Sequence, residues 1–427
     1  MKPFNARLPF LSLLAGALAF SAIAMAPASD WPGWRGPHRD GISNETGLMK
    51  TWPEDGPKLL WEAEGFGQGY SSVAIAEGRI FTLGKTKEGE ALFAINAEDG
   101  KILWQTLFGT GKHSNGSPQV DGDLVYAIGL AGDLVCARVD TGEIVWKKNF
   151  ATDFGGIMMS GWGFSESPLI DGDRLICTPG GPEAMMVALD KKTGGEIWRS
   201  PSPADLGKKG KDGAGYSSIM ISEGAGVKQY VQVTGRGVIG VRAKDGEPLW
   251  HYNPVANGTA NIPTPLIEGD FVFCSTGYGT GAALLKLSKS GDGVKADEQY
   301  FLNGKVFQNH HGGMVLRDGH VYAGHAHNNG FPTCLEMSTG KIVWGGDQRG
   351  PGSGSAAVLL AGDDLIFRYE DGVVALIEAT AEGYQLKSQF RPVFQKGKSW
   401  AHPVVVDGRL YLREQEKMMC YDLRGKG

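Results

Sequence analysis

No two cysteines are adjacent in this sequence, and no Cys-x-x-Cys pair occurs in it. A redox dithiol, a zinc knuckle and a haem-attachment motif are therefore excluded. A Gly-x-Ser-x-Gly elbow and a His-Glu-x-x-His helix are likewise missing. The run Gly277-Tyr-Gly-Thr-Gly281 leads into no helix, and a phosphate loop needs a helix N-terminus. There is no excess of basic charge: 42 Lys and Arg face 47 Asp and Glu, a net charge of −5. That rules out the electrostatic footprint of a nucleic-acid partner. After Met25 no apolar run approaches the length of a membrane-spanning helix.

What is present in abundance is glycine, 65 residues, beside 41% hydrophobic residues. Such a chain can build a large core but turns often, as all-β folds do. At the start, Lys2 and Arg7 precede an apolar stretch from Leu8 to Met25 and then Ala26-Pro27-Ala28. This reads as a secretory signal over 1–28 with cleavage near Ala28. No cysteine follows to carry a lipid, so the expected location is the periplasm or the exterior.

An internal repeat organises the remainder. An eleven-residue frame runs from a small residue, through Thr-Gly or Asp-Gly at places six and seven, to tryptophan. Its copies are Ala94–Trp104, Cys136–Trp146, Ala188–Trp198, Gly240–Trp250 and Cys334–Trp344. Each reads as two strands around a turn whose Gly takes positive φ, the tryptophan closing the second strand against a neighbouring sheet. Upstream of each frame lies another hairpin, typified by Ser117-Pro118 to Tyr126 and Ser167-Pro168 to Ile176, with Asp121-Gly122 and Asp171-Gly172 as turns. Two hairpins make four antiparallel strands, a to d, which is one propeller blade.

Outer strands end at Trp61, Trp104, Trp146, Trp198, Trp250 and Trp344, with degenerate ones at Tyr300-Phe301 and at Leu386–Phe390. The expected fold is all-β, an eight-bladed propeller, with seven blades as the alternative. Trp400–Leu423 supplies strands a to c and no strand d, whereas Leu59–Glu62 resembles a strand d with nothing before it. The N-terminal strand is thus expected to complete the last blade and close the ring, removing an exposed edge. The expected domains are an extended segment over 29–56, its tryptophans docked on the ring, and one propeller over 57–427. Cys136, Cys334 and Cys420 take the small-residue place of the frame, and Cys177 and Cys274 recur in strand b, so all five read as buried apolar residues.

The eleven-residue frame resembles the tryptophan docking repeat of quinoprotein (PQQ) dehydrogenase propellers. The opening Trp31-Pro-Gly-Trp-Arg-Gly-Pro37 is similar to that of bacterial PQQ-binding-like β-propeller repeat proteins. The resemblance covers Ser29 to the C-terminus. It implies the propeller fold and two readings of function, since the superfamily also holds envelope scaffold propellers that resemble the outer-membrane assembly lipoprotein BamB and bind no quinone. A PQQ-dependent oxidoreductase acting on an alcohol or sugar is the alternative. PQQ with Ca²⁺ as cofactor is not supported by adjacent cysteines, and no stretch matches the family's Ca²⁺ ligands or catalytic Asp residue by residue.

Blade geometry places any site on the face formed by the loops leading into strand a and those linking b to c, since the Asp-Gly and Thr-Gly turns of the other face are short and uniform. In blade 6 these two loops carry Asn309, His310 and His311, then His325, His327, Asn328 and Asn329. Neighbouring loops add Trp162, Asn257, Asn261, Tyr278, Arg349, Arg368, Trp400 and His402. Imidazole, amide, guanidinium and indole groups suit a small polar ligand or an envelope protein. Equally, His and Asn in Gly-rich loops satisfy local backbone groups. His310 and His311, if extended, point opposite ways, and no Asp or Glu lies in these loops, so no metal site is expected. A monomer is expected.

Overall fold

The computed structural model describes residue 1 and residues 30–425; the expected export signal over 1–28 otherwise lies outside the described residues. The described chain forms eight sheets, seven of four antiparallel strands and one in which a fifth, parallel strand joins four antiparallel ones. In chain order the blades span 74–109, 119–149, 169–200, 220–252, 266–303, 309–344, 356–390 and 404–422. The eighth lacks its own outer strand. Lys58–Glu64 supplies it, pairing antiparallel with Lys417–Asp422 so that Trp61 lies opposite Cys420. The ring is therefore closed as the sequence implies, and with eight blades rather than seven.

The repeat frame has a simple steric basis. Its small residue is the cross-strand partner of its tryptophan: Ala94 faces Trp104, Cys136 faces Trp146, Ala188 faces Trp198 and Cys334 faces Trp344. Apart from Trp250, which bonds Gln229 of its own blade, each indole then donates into the next blade. Trp104, Trp146 and Trp198 donate Nε1–H to the carbonyls of Val139, Lys191 and Ala243, at 3.0, 3.1 and 3.3 Å. The same rings lie on the turn glycines Gly142, Gly194 and Gly246 of that next blade, where a Cβ would meet indole carbon at 2.6–2.8 Å. These glycines have φ of 70–78°, so backbone and neighbouring ring both demand glycine. Trp61 joins blade 8 to blade 1 in this manner, bonding Ala97 O at 3.1 Å. Tyr300 replaces the indole in blade 5, its ring on Gly340 and its hydroxyl on Met337 O at 2.6 Å. In blade 7 the ring comes from elsewhere: Trp52 meets Phe390 edge-on at 5.3 Å and donates its backbone N–H to Ser388 Oγ. All five cysteines are buried and none forms a disulfide.

The Ser-Pro signature ahead of strand a also has a cause. Two residues before strand a, at Ser72, Ser117, Ser167, Ser218, Thr264 and His402, the chain lines the central channel. There the backbone N–H of one blade donates to the hydroxyl of the next. Ser117 donates to Ser167 Oγ at 2.8 Å, Ser167 to Ser218 Oγ at 3.1 Å and Ser218 to Thr264 Oγ1 at 3.3 Å. Ser72 Oγ closes the blade 1–blade 8 seam on His402 O at 2.8 Å. Six blades in this way present their first inner residues as one polar girdle.

Residues 30–43 fill that channel. Trp31 pairs with Ile75, and Asp30 accepts from Glu77 N–H at the a–b turn of blade 1, so the segment enters from the turn face. It rises to Trp34 and Arg35, reverses through Arg39 and Gly41, and returns to the turn face as Ile42–Ser43. That last pair is the fifth strand of blade 7, parallel to Ala356–Ala361. Arg39 anchors the reversal, donating to Pro168 O at 2.9 Å and Ser167 O at 2.8 Å. Arg35 donates to Asp40 O at 2.8 Å and to Met314 O. The channel is thereby plugged by the chain's own leading segment.

Candidate functional site

Above the plug, on the loop face, lies a cavity of about 170 Å³. Its lining follows the repeat in two tiers. The upper tier is the residue two positions before the girdle: Tyr70, Asn115, Ser165, Tyr216, Ile262, His311 and Trp400. Below them lie the girdle residues Ser218, Thr264 and His402 with Gly313 of the blade 6 bulge, two places after His311, and Trp34 and Arg35 of the plug form the floor. Every blade but the seventh thus contributes a side chain from an equivalent place, and in that blade Ser355 stands just behind the wall.

Aromatic rings dominate one half of the mouth. Tyr70 lies 4.7 Å from Trp400, Trp400 lies 6.1 Å from Trp162, and His113 bridges Trp162 and Tyr70 at 5.7 and 5.9 Å. Trp162 is 50% exposed, which leaves its ring open to a ligand or partner. Trp400 is held by an Nε1–H bond to Glu370 at 2.8 Å, and Lys398 lies over its ring at 5.0 Å. Trp34 stacks obliquely on His402 at 4.6 Å and donates to Thr264.

Imidazoles occupy the other half. His310 and His311 do not splay apart as an extended strand would require. They sit in a bulge of strand a, where Asn309 pairs with His325 and Met314 with Ala323, leaving more residues on one strand than on the other. Gly313, at φ 73°, allows that bend. The two rings are consequently 4.5 Å apart, and His327 lies 4.0 Å from His310 on the same rim. Ser355 Oγ holds His310 Nδ1 at 2.8 Å, and Tyr278 OH meets its Nε2 at 3.2 Å. Tyr278 and His327 both have positive φ, 58° and 51°, a strain that persists because these contacts over-determine them.

Five residues expected at the site line the cavity: Trp162, His310, His311, Trp400 and His402; Tyr278 does too. His327 stacks behind Tyr278 at 4.4 Å. The other expected residues lie outside that lining. Asn261 Nδ2 is spent on Thr234 O and Gly235 O, and Asn257 caps its own turn. Asn309 donates to Gly324 O, and His325 Nδ1 lies against the Gln308 backbone with its ring stacked on Phe307. Arg368 is fully buried in an ion pair with Glu414 at 2.8 Å, joining blades 7 and 8. Asn329 and Arg349 are exposed outside the lining; Asn328, also exposed, hydrogen-bonds the His310 side chain from there. Sequence reasoning overlooked Trp34, Arg35, Tyr70, Asn115 and Tyr216. Counting back two places from each Ser-Pro equivalent would have found the last three.

Burial governs the titration of the site. Desolvation pushes His310 down to about 2, and His311 and His402 to about 3, with neighbouring imidazoles and, for His402, Arg35 adding to the effect. Desolvation raises Glu90 to about 7 and Glu166 to about 8, against the hydrogen bonds each accepts. For the histidines the folded value lies below the ordinary 6.5, so their stabilisation is present above pH 6.5 and lost as pH falls toward 3. For the two carboxyls the folded value lies above 4.5, so theirs is present below pH 4.5 and lost as pH rises through 7 and 8. The expected Tm therefore peaks near pH 6.5 and declines on both sides. Glu166→Gln is expected to flatten the decline between about pH 6.5 and pH 8 in a thermal-melt series, the upper part of the window between its ordinary and its folded value; an unchanged limb there would show that Glu166 ionises freely.

Among the described residues no group of three or more His, Cys, Asp and Glu is arranged to hold a metal ion, and no helix is long and apolar enough to cross a membrane. A family model described as outer membrane protein assembly factor BamB matches residues 43–160 and 110–346. Among curated relatives, quinoprotein ethanol dehydrogenase of Pseudomonas aeruginosa is 31% identical over 153 residues, 31% of this chain and 22% of that one. The match thus spans under a quarter of that dehydrogenase's length. Outer membrane protein assembly factor BamB of Burkholderia pseudomallei is 26% identical over 329 residues, 74% of this chain and 75% of that one. Among solved structures, quinohemoprotein alcohol dehydrogenase ADHIIG from Pseudomonas putida HK5 superposes with a TM-score of 0.64 at 14% identity, over 93% of this chain and 81% of that one. The last likeness is one of fold. The family match covers well over half of the sequence, and the chain belongs to the BamB-type family of PQQ-like β-propellers.

Proposed function

We propose that this chain is an exported cell-envelope propeller that binds a small polar ligand in the central pocket of its loop face. One observation carries the reading: seven blades place the residue two before the girdle around one cavity, and the plug gives that cavity a floor instead of an open channel. A closed, ring-lined cleft with a few convergent polar groups is the ordinary form of a ligand site. The relatives named for outer-membrane assembly support the envelope as its location.

The quinoprotein reading requires a Ca²⁺ held by carboxylate and amide oxygens and an aspartate base. The pocket lining contains no Asp or Glu, so its residues do not fit that centre. Binding a protein partner is favoured by a different observation, the exposure of Trp162 (50%) and Tyr278 (39%) at the mouth.

The test is a thermal-shift and tryptophan-fluorescence screen of polar metabolites, with PQQ plus Ca²⁺ as one arm and Trp400→Ala as the control. At least one compound is expected to raise the Tm of the wild type. Its affinity is expected to fall about 100-fold in Trp400→Ala, as for a central aromatic anchor. Dye reduction with alcohols in the PQQ arm would restore the oxidoreductase. A null screen together with an envelope protein captured through Trp162 would favour the partner.

A further inference from the structure

The floor of this pocket carries a buried cation. Arg35 is 5% exposed, and although its Nη2 donates to Asp40 O and Met314 O, its Nη1 has no partner. That nitrogen lies beneath Gly313 and beside His402: a Cβ built on Gly313 would stand 2.1 Å from Nη1 and 3.1 Å from His402 Cε1. A second orphan, His311 Nε2, is buried in the wall above. No carboxylate lines the cavity; the acid that acts on Arg35, Asp40, belongs to the plug itself and lies outside the lining.

The plug adds a second buried guanidinium, Arg39, whose nearby acid is Glu166. Burial pushes that carboxyl up to about 8, so near neutral pH it is mostly uncharged and offsets little of the positive field. With Asp40 outside the cavity lining, the cavity side of the Arg35 guanidinium faces no negative charge, and a cation in low dielectric attracts an anion far more strongly than one in water. Flat rings on the opposite wall supply stacking surface for the rest of a ligand.

We propose that the pocket selects an organic anion, a carboxylate attached to a ring, with Arg35 of the N-terminal plug as the residue that reads the charge. This rests on the pocket being a ligand site and adds the chemical class of its occupant. The plug is then part of the recognition surface as well as a seal.

The test compares matched pairs on the wild type by titration calorimetry: benzoate, 2-naphthoate and galacturonate, each against its primary amide. The acid of at least one pair is expected to bind about tenfold or more tighter than its neutral partner, an effect that weakens with added salt. In Arg35→Gln that acid loses its advantage while the amide is unchanged, and Arg35→Lys keeps part of it. Acid and amide of every pair binding equally would overturn the anion claim and leave the pocket reading intact. Should Arg35→Gln fail to fold, the wild-type pairs and their salt dependence decide alone. No binding by any probe, charged or neutral, with Trp400 fluorescence unmoved, would overturn both readings.

Discussion

Arg39→Ala is expected to lower the free energy of unfolding by about 3–5 kcal/mol, the cost of stripping a buried hydrogen-bonded charge from its partners. Its guanidinium is buried in the channel and donates to two carbonyls of blade 3, at 2.8 and 2.9 Å. Alanine leaves the buried carbonyls of Ser167 and Pro168 without those donors. The plug also loses the clamp that holds its reversal, where Arg39 sits at φ 58°. Arg39→Lys keeps the charge and loses the fork, so an intermediate loss is expected. Urea denaturation at neutral pH measures both. A loss below about 1 kcal/mol for Arg39→Ala would mean that the plug contributes little to the folded ring.

Trp61→Ala is expected to destabilise by about 3–4 kcal/mol, as for other large-to-small substitutions of aromatics at packed sites. The ring lies on Gly100 and bonds Ala97 O, so its removal loosens blade 8 from blade 1. Trp146→Ala removes the same kind of contact within one uninterrupted stretch of chain. The two should differ in kind. At Trp61 the strand that closes the ring is joined to its sheet from the far end of the sequence, so its release exposes two sheet edges at once. Aggregation on heating and protease cleavage near residues 56–66 are therefore expected for Trp61→Ala and not for Trp146→Ala. Matching aggregation and cleavage in both variants would argue that closure is no weaker than any other seam.

The ring itself was legible because its determinants are local and repeated. Ala188, Gly194 and Trp198 state a hairpin, a turn and a docking ring within eleven residues, and four more copies fix the period. The closing strand at Leu59–Glu62 was legible for the same reason, as half of that motif without its other half. The plug was not. Trp31–Asp40 has no strand period, and nothing in its composition says that it enters a channel instead of lying on the outside. Ile42–Ser43 is too short to announce itself as a strand. At the site, residue type misled where it could be satisfied locally. Asn257 and Asn261 complete a turn, and Arg368 finds Glu414, 46 positions away, across a seam that spacing alone does not reveal. Tyr70 and Tyr216 lacked unusual neighbours and were passed over, although their register relative to the girdle marks them as equivalent to Trp400.

Hydrogen exchange, comparing the wild type with and without the tightest-binding compound of the screen, tests the central claim most directly. Protection is expected at Tyr70, at 113–116, 160–166 and 310–313, and at Trp400–His402, together with Trp34–Gly36 of the plug. Protection confined to the opposite face, around the second cavity lined by Ser43–Lys50 and Ala361–Asp364, would contradict a ligand site built from the loops of the ring.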